Sequence, residues 1–110
     1  MAVEVQKIQE GTKLTIRVSG KLNTPGSEEL RSEIGDLNGI KELILDFKDV
    51  SYIASAGFRL IIEAYKMMAD NKGSMKIINV NEDNMQTFRL TGLLDVLDVS
   101  SPEPDEKTAE

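Results

Sequence analysis

Residues 46–68 read D-F-K-D-V-S-Y-I-A-S-A-G-F-R-L-I-I-E-A-Y-K-M-M. The predicted fold is built outward from this stretch. The pattern predicts the end of a buried strand, a turn over residues 51–54 and then a long helix. Ser55 stands at the predicted helix start, where serine is favoured because its oxygen can accept a hydrogen bond from a free backbone N–H. The pattern therefore predicts that Ser55 is an N-cap, and most N-cap serines have no further role.

The two faces of the predicted helix differ in composition. At about 100° per residue, one face is an ordinary apolar core stripe, formed by Gly57, Leu60, Ile61, Ala64 and Met68. The opposite face carries Ser55, Arg59, Ile62 and Lys66, with Phe58 flanking it. Ile62 is either a singly exposed apolar residue, which is common, or part of a small docking surface centred on Ser55. The sequence leaves these two interpretations balanced.

Length and composition narrow the functional classes. With 110 residues the chain is expected to form one domain, and without an apolar membrane span or a signal peptide it is expected to be soluble and cytoplasmic. The absence of Cys and His removes thiolate chemistry and the commonest general base and metal ligand. A net charge of −6 and few aromatic residues argue against nucleic acid as a partner. No catalytic residue, metal site or cofactor is predicted.

The segments before the central stretch predict a hairpin and a helix. Apolar residues alternate over 3–8 and 14–18 around a turn at Glu10-Gly11, which is typical of two antiparallel strands. Residues 20–23 are predicted to leave the sheet. A helix should then begin with Thr24 as N-cap and Pro25 at the first helical position, carry Leu30, Ile34 and Leu37 on one face, and close at Asn38-Gly39.

The later segments complete an α/β fold. The apolar run 43–45 predicts a strand buried on both faces, and residues 75–80 predict the next strand, parallel to it because a helix intervenes. Asn81 is predicted to cap a shorter helix that carries Met85 and Phe88 and ends at Thr91-Gly92. We therefore expect a mixed sheet of four or five strands with helices packed on it, in the order β-β-α-β-α-β-α and a possible last strand. Residues 1–99 form this domain, and 100–110 should be an acidic, disordered tail.

This order of elements and four blocks of residues resemble the STAS domain, the fold of the bacterial anti-sigma factor antagonists. The blocks are V-S-G-K-L-N at 18–23, L-I-L-D-F-K-D-V-S-Y-I at 43–53, A-S-A-G-F-R at 54–59 and F-R-L-T-G-L-L-D-V at 88–96. The central block is fairly specific, because it joins a buried strand, a turn, a serine and a glycine in one register. The resemblance implies a STAS-like fold over nearly the whole chain before the acidic tail.

The resemblance also implies a switch. In such antagonists a serine kinase of the anti-sigma type phosphorylates the serine at this helix start, and the unmodified form binds the anti-sigma factor and frees the sigma factor. A phosphatase resets the switch. Carried over to this chain, the phosphoacceptor is Ser55. A monomer is the default expectation, and the composition predicts no direct nucleic-acid or membrane partner. The partner-binding residues implied are Leu22, Asn23, Ala54, Ser55, Ala56, Gly57, Phe58, Arg59, Ile62 and Lys66.

The motif departs from its best-known form, which has Asp-Ser-Ser-Gly where this chain has Ala-Ser-Ala-Gly at 54–57. Ala54 stands in place of the acidic residue, a change that bears on recognition by the kinase. Ala56 stands in place of the second serine, so Ser55 has the one hydroxyl of the motif. Gly57 would let the helix lie close to the sheet and a partner reach Ser55, although packing alone explains a glycine equally well.

Two alternatives remain beside the switch. A STAS subunit could dock on the ATPase of an ABC transporter without phosphotransfer. An enzyme with Ser55 as nucleophile is disfavoured, because there is no His and no G-x-S-x-G motif. Asp46 and Asp49 are better explained as turn and cap residues than as a catalytic pair, and with residues 20–23 they could frame an interface at one end of the sheet.

Overall fold

The computed structural model describes residues 2–102. Its strands and helices, in chain order, are β1 (Val3–Glu10), β2 (Lys13–Leu22), α1 (Thr24–Ile34), β3 (Glu42–Ile53), α2 (Ser55–Asp70), β4 (Ser74–Ile78), α3 (Glu82–Thr91), one turn of 3-10 helix (Leu93–Asp95) and β5 (Asp98–Val99). The predicted α/β class and element order are therefore confirmed, including the short last strand. No helix within these residues is long and apolar enough to cross a membrane.

The strands described in residues 2–102 form a five-stranded sheet whose spatial order is the chain order, β1 to β5. β1 and β2 are antiparallel, and every later pair of neighbours is parallel. Leu45, at the centre, lies between Ile16 of β2 and Ile77 of β4. The mixed sheet and the parallel crossover around α2 are thus as predicted.

The core lies between one face of the sheet and the helices. Burial alternates along β3, where Leu43, Leu45 and Phe47 are buried while Ile44 and Asp46 are only half-buried. The prediction that this strand is buried on both faces is therefore wrong, because only its alternate residues lie under the helices. The core includes residues of the apolar run 43–45, of the predicted α2 stripe and of the strand predicted over 75–80, namely Leu43, Leu45, Leu60, Ile61, Ala64 and Ile77.

Both strands that lead to the central turn are longer than predicted. β2 does not leave the sheet at Gly20 but continues through Leu22, and β3 continues through Ile53 instead of turning at residue 51. The reason is strand pairing, since Gly20 pairs with Val50 and Leu22 with Ile53 across irregular register. Only Ala54 separates β3 from α2.

The bounds of α1 also differ from the prediction. Its N-cap is Asn23, whose Oδ1 accepts the Gly26 N–H at 2.9 Å, so Thr24 is the first helical residue and not the cap. The helix ends at Ile34, four residues before the predicted Asn38-Gly39 stop, because Gly35 takes φ +67° and breaks it. Leu37 is buried although it lies outside the helix.

The boundary of the folded body lies beyond residue 99. The Ser100 N–H donates to the Ile77 carbonyl oxygen (2.9 Å), and the Ser100 carbonyl accepts the Val80 N–H (3.0 Å). The body therefore extends at least one residue past the predicted boundary. Most of the predicted acidic tail, residues 103–110, lies outside the described residues.

Candidate functional site

Two neighbouring strands end, and two helices begin, at the same end of the sheet, where the carboxyl ends of β2 and β3 lie. β2 ends at Leu22 and β3 at Ile53, side by side, and α1 and α2 start within two residues of these ends. The Leu22 carbonyl oxygen accepts the Ala54 N–H at 2.9 Å and the Ser27 hydroxyl at 3.4 Å. The end of β2 is therefore bonded both to the start of α2 and to α1, and it fixes the position of Ser55.

Glycines allow the first turns of both helices to lie against the end of β2. A Cβ on Gly57 would be 2.8 Å from Cγ2 of Ile53 and 3.1 Å from the Leu22 carbonyl oxygen. A Cβ on Gly26 would collide with the Lys21 carbonyl oxygen. Both contacts are too close for a side chain, so the close approach of helix to sheet that Gly57 predicts is present. In the isolated chain, Gly57 allows the first turn of α2 to pack against Leu22 and Ile53.

Ser55 is the first helical residue and not the N-cap, so that prediction is wrong. The N-cap is Ala54, whose backbone is extended (φ −89°, ψ 177°) because its N–H is held by Leu22, and its carbonyl oxygen accepts the N–H groups of Gly57 and Phe58 at 2.9 and 3.1 Å. No side chain caps α2. The Ser55 side chain is exposed. The hydroxyl is thus available for modification without loss of a helix cap.

The other two α-helices of residues 2–102 begin differently, because each has an asparagine N-cap. Asn23 accepts the Gly26 N–H at 2.9 Å, and Asn81 accepts the Asn84 N–H at 2.8 Å, as predicted for Asn81. Side-chain oxygens at this position satisfy N–H groups that have no intrahelical partner. The start of α2 therefore lacks an acceptor that its neighbours have.

Replacing Ala54 with asparagine is expected to stabilise the protein by about 1 kcal/mol, because the amide oxygen would cap the first turn of α2. The measurement is the urea midpoint of the variant and of wild type. Asn23→Ala, which removes the cap of α1, serves as the matched control and should lose a similar amount. An unchanged midpoint for Ala54→Asn beside a lowered one for Asn23→Ala would contradict the expectation.

The outer face of α2 is largely as predicted. Ser55, Arg59 and Lys66 are exposed and Ile62 is half-buried. Phe58 does not flank this face: its side chain is buried and meets Phe88 of α3 edge to face, with ring centroids 5.0 Å apart and planes at 78°. The prediction for Phe58 is wrong because α3 covers the flank of the helix that the sequence left open.

The predicted partner-binding residues therefore divide into two groups. Those with solvent access are Asn23, Ala54, Ser55, Ala56, Arg59, Ile62 and Lys66. Leu22, Gly57 and Phe58 are buried and shape the surface from below. The predicted set is thus brought together at the carboxyl ends of β2 and β3 and along α2, but three of its members are inaccessible.

The structure adds Tyr52 to the residues at this end of the sheet. Its side chain is 54% exposed, it lies three residues before Ser55, and it pairs in register with the exposed Lys21. Exposed tyrosines are enriched in protein interfaces. The signal in the sequence was an aromatic residue next to the motif in a chain with only five aromatic residues.

Asp46 does not lie at this end of the sheet. It lies seven residues before the end of β3, roughly 20 Å along the strand. Its Oδ1 accepts the Lys48 N–H and the Asn79 amide, both at 3.0 Å, and its Oδ2 lies 3.6 Å from Nε of Arg17. These bonds agree with a structural role for Asp46. Asp46 lies within β3, however, so its predicted positions in a turn and at this end of the sheet are both wrong.

Helices α1 and α2 are joined near the site by an ion pair. Arg31 donates from Nε and Nη2 to one oxygen of Glu63, at 3.1 and 2.9 Å. This hydrogen bonding raises the pKa of Arg31 above its ordinary value, so the guanidinium remains charged. The pair is partly exposed and contributes little to stability.

A family model described as STAS domain matches residues 2–109 of the chain. The chain is 28% identical over 102 residues to the anti-sigma-B factor antagonist of Bacillus subtilis, covering 92% of this chain and 94% of the relative.

Two solved structures show the same fold. One is an anti-sigma factor antagonist from Mycobacterium paratuberculosis (TM-score 0.80, 17% identity, 98% of this chain and 95% of the other). The second is the Bacillus cell fate determinant SpoIIAA in its phosphorylated form (TM-score 0.70, 18% identity, 96% of each chain). At these identities the likeness is one of fold.

Proposed function

Because the chain belongs to the STAS domain family, we propose that it is an anti-sigma factor antagonist that is switched off by phosphorylation of Ser55. The unmodified protein binds an anti-sigma factor and so releases a sigma factor. The relative from Bacillus subtilis, which matches over nearly its whole length, is named for this role. The observation that carries the proposal is the exposed Ser55 hydroxyl at the start of a helix without a side-chain cap.

Addition of a phosphate is compatible with the fold. Ser55 is exposed, and modification of its hydroxyl removes no helix cap. A phosphoserine carries about −1.5 to −2 charges, which the positive end of the helix dipole favours. The SpoIIAA relative is folded in its phosphorylated form. We therefore expect modification to change the surface and leave the backbone in place.

The docking surface that we propose contains the accessible residues around Ser55, including the half-buried Ile62 and the exposed Tyr52. In a complex these apolar groups lose water. A phosphate among them would have to lose its hydration as well, which is costly unless the partner supplies compensating charge. Phosphorylation should therefore weaken the complex without unfolding either protein.

The partners follow from this scheme. The anti-sigma factor is proposed to be a serine kinase that transfers the terminal phosphoryl group of ATP to the Ser55 oxygen, with release of ADP and the hydroxyl proton. A phosphatase returns the hydroxyl by hydrolysis. In this scheme the Ser55 oxygen attacks the phosphoryl group as the substrate of the kinase. Ser55 is not a catalytic nucleophile of this chain, which has no histidine to activate it.

The test is phosphorylation in a lysate of the native host with Mg-ATP, followed by intact-mass measurement and peptide mapping. We expect one added phosphoryl group on wild type and none on Ser55→Ala. Ser51→Ala is the matched control, because Ser51 is also exposed and lies four residues earlier, and it should be modified like wild type. Modification of another residue would contradict the proposal. No modification under several growth conditions would favour docking on a transporter ATPase without phosphotransfer.

A further inference from the structure

The arginines of the chain differ in their partners. Three of the four pair with carboxylates: Arg17 with Asp46 (3.6 Å), Arg31 with Glu63 (2.9 Å) and Arg89 with Glu82 (3.4 Å). Within residues 2–102, Arg59 alone among the arginines has no carboxylate within ion-pair distance. It is exposed on the outer face of α2. Among the described residues, Arg59 therefore has an unpaired guanidinium, on a surface where an anion is expected to appear.

The helix places Arg59 beside Ser55. The two residues are four apart in α2, so their Cβ atoms are neighbours at about 5–6 Å. Side chains in a helix lean toward its N-terminus, so that of Arg59 leans toward the turn that carries Ser55. In the unmodified chain Ser55 offers only a neutral hydroxyl. A phosphate on Ser55 would provide two oxygens for the guanidinium fork.

We propose that Arg59 binds the phosphate of phosphorylated Ser55 and that this contact withdraws Arg59 from the docking surface. The biological role of the contact rests on the proposed function, whereas its formation requires only a phosphate at Ser55. Phosphorylation then acts twice. It adds a hydrated dianion to the surface, and it engages a cation on the same helix face that an acidic group of the partner could otherwise bind.

Lys66 provides the comparison, because it is exposed on the same face and also has no carboxylate partner within residues 2–102. It lies eleven residues after Ser55, about 16 Å along the helix axis. Its ammonium group is therefore too distant to contact the phosphate and is screened by salt at physiological ionic strength. A contact specific to Arg59 will not be reproduced by Lys66.

The experiment uses the full chain with phosphoserine incorporated at position 55 by genetic encoding, so no kinase is needed. The phosphate is titrated by ³¹P NMR in the wild-type background, in Arg59→Gln and in Lys66→Gln. A bound guanidinium favours the dianion, so Arg59→Gln should increase the proton affinity of the phosphate about twofold or more. Lys66→Gln should leave it unchanged. Arg59→Lys should fall between wild type and Arg59→Gln, because a point charge lacks the planar fork.

Equal titration of wild type and Arg59→Gln would overturn the inference, and so would equal effects of Arg59→Gln and Lys66→Gln. Matching urea midpoints of the unmodified variants would verify that each one folds, as expected for exposed side chains. The result is independent of the kinase experiment. If Arg59→Gln shifts the titration but the lysate does not phosphorylate Ser55, the contact is supported and the switch is rejected. If the lysate phosphorylates Ser55 but Arg59→Gln leaves the titration unchanged, the switch is supported and the contact is rejected.

Discussion

Phe88→Ala is expected to lower the free energy of unfolding by about 3–5 kcal/mol. Phe88 is fully buried and is one of the largest such side chains among the described residues. In α3 it is accompanied by only two other buried residues, Asn84 and Met85, so it supplies much of the attachment of this helix. The substitution would also remove the edge-to-face contact with Phe58 and leave a cavity beside the first turn of α2.

The measurement is urea denaturation followed by circular dichroism. Leu90→Ala is the matched control: Leu90 lies on the same helix and is 86% exposed, so its truncation should change stability by less than about 0.5 kcal/mol. Phe88→Leu should show an intermediate loss and keeps the comparison possible if Phe88→Ala does not fold. Equal losses for Phe88→Ala and Leu90→Ala would show that Phe88 does not anchor α3.

Phosphorylation of Ser55 is expected to weaken binding of the anti-sigma partner at least a hundredfold. This corresponds to about 2.8 kcal/mol, which is within the cost of placing an uncompensated anion in a desolvated interface. The cost arises because Ser55 is exposed within the proposed surface, which also contains Tyr52 of β3 and Ile62 of α2. Ser55→Ala removes the hydroxyl without adding charge and should bind within about threefold of wild type.

Affinities would be measured by calorimetry with the protein that unmodified wild type captures from the host lysate, after that protein has been purified. Phosphoserine at 55 is compared with Ser55→Asp, which carries less charge and should show a smaller loss in the same direction. Ser51→Asp is the control for added charge nearby, because Ser51 is exposed on β3 outside the helix. Equal affinities of the phosphorylated and unmodified proteins would reject the switch.

The sequence was sufficient for features that depend on local periodicity. Every residue of the predicted core stripe of α2 is buried, namely Gly57, Leu60, Ile61, Ala64 and Met68. The period of the α-helix determines this stripe, and a single apolar stripe has one place to pack in a small domain. The parallel pairing around α2 followed in the same way, since a strand, a helix and a strand leave few other arrangements.

The start of α2 could not be placed to the residue from the same pattern. Serine is a better N-cap than alanine, so propensity placed the cap at Ser55. The structure places it at Ala54, because the Ala54 N–H bonds to the Leu22 carbonyl, 32 residues earlier in the chain. A long-range backbone bond, which no local pattern contains, thus moves the cap by one residue and leaves the serine hydroxyl exposed.

Phe58 shows the same limit for side chains. The helical period places it between the core stripe and the outer face, and the local sequence does not reveal which neighbour covers that flank. Phe88, 30 residues later, covers it. The site residues on the outer face, including Ser55 and Arg59, were predictable because no other element of the described chain packs over them.

The agreement between chain order and strand order has a consequence for synthesis on the ribosome. Each new strand of the sheet is added beside the strand made just before it, from β1 to β5. The first hairpin needs no later segment, and each parallel strand finds its partner edge already present when it emerges. Such stepwise growth keeps loop closures short and limits the time for which an unpaired edge is exposed. We therefore expect assembly from the N-terminus to be well advanced before translation ends.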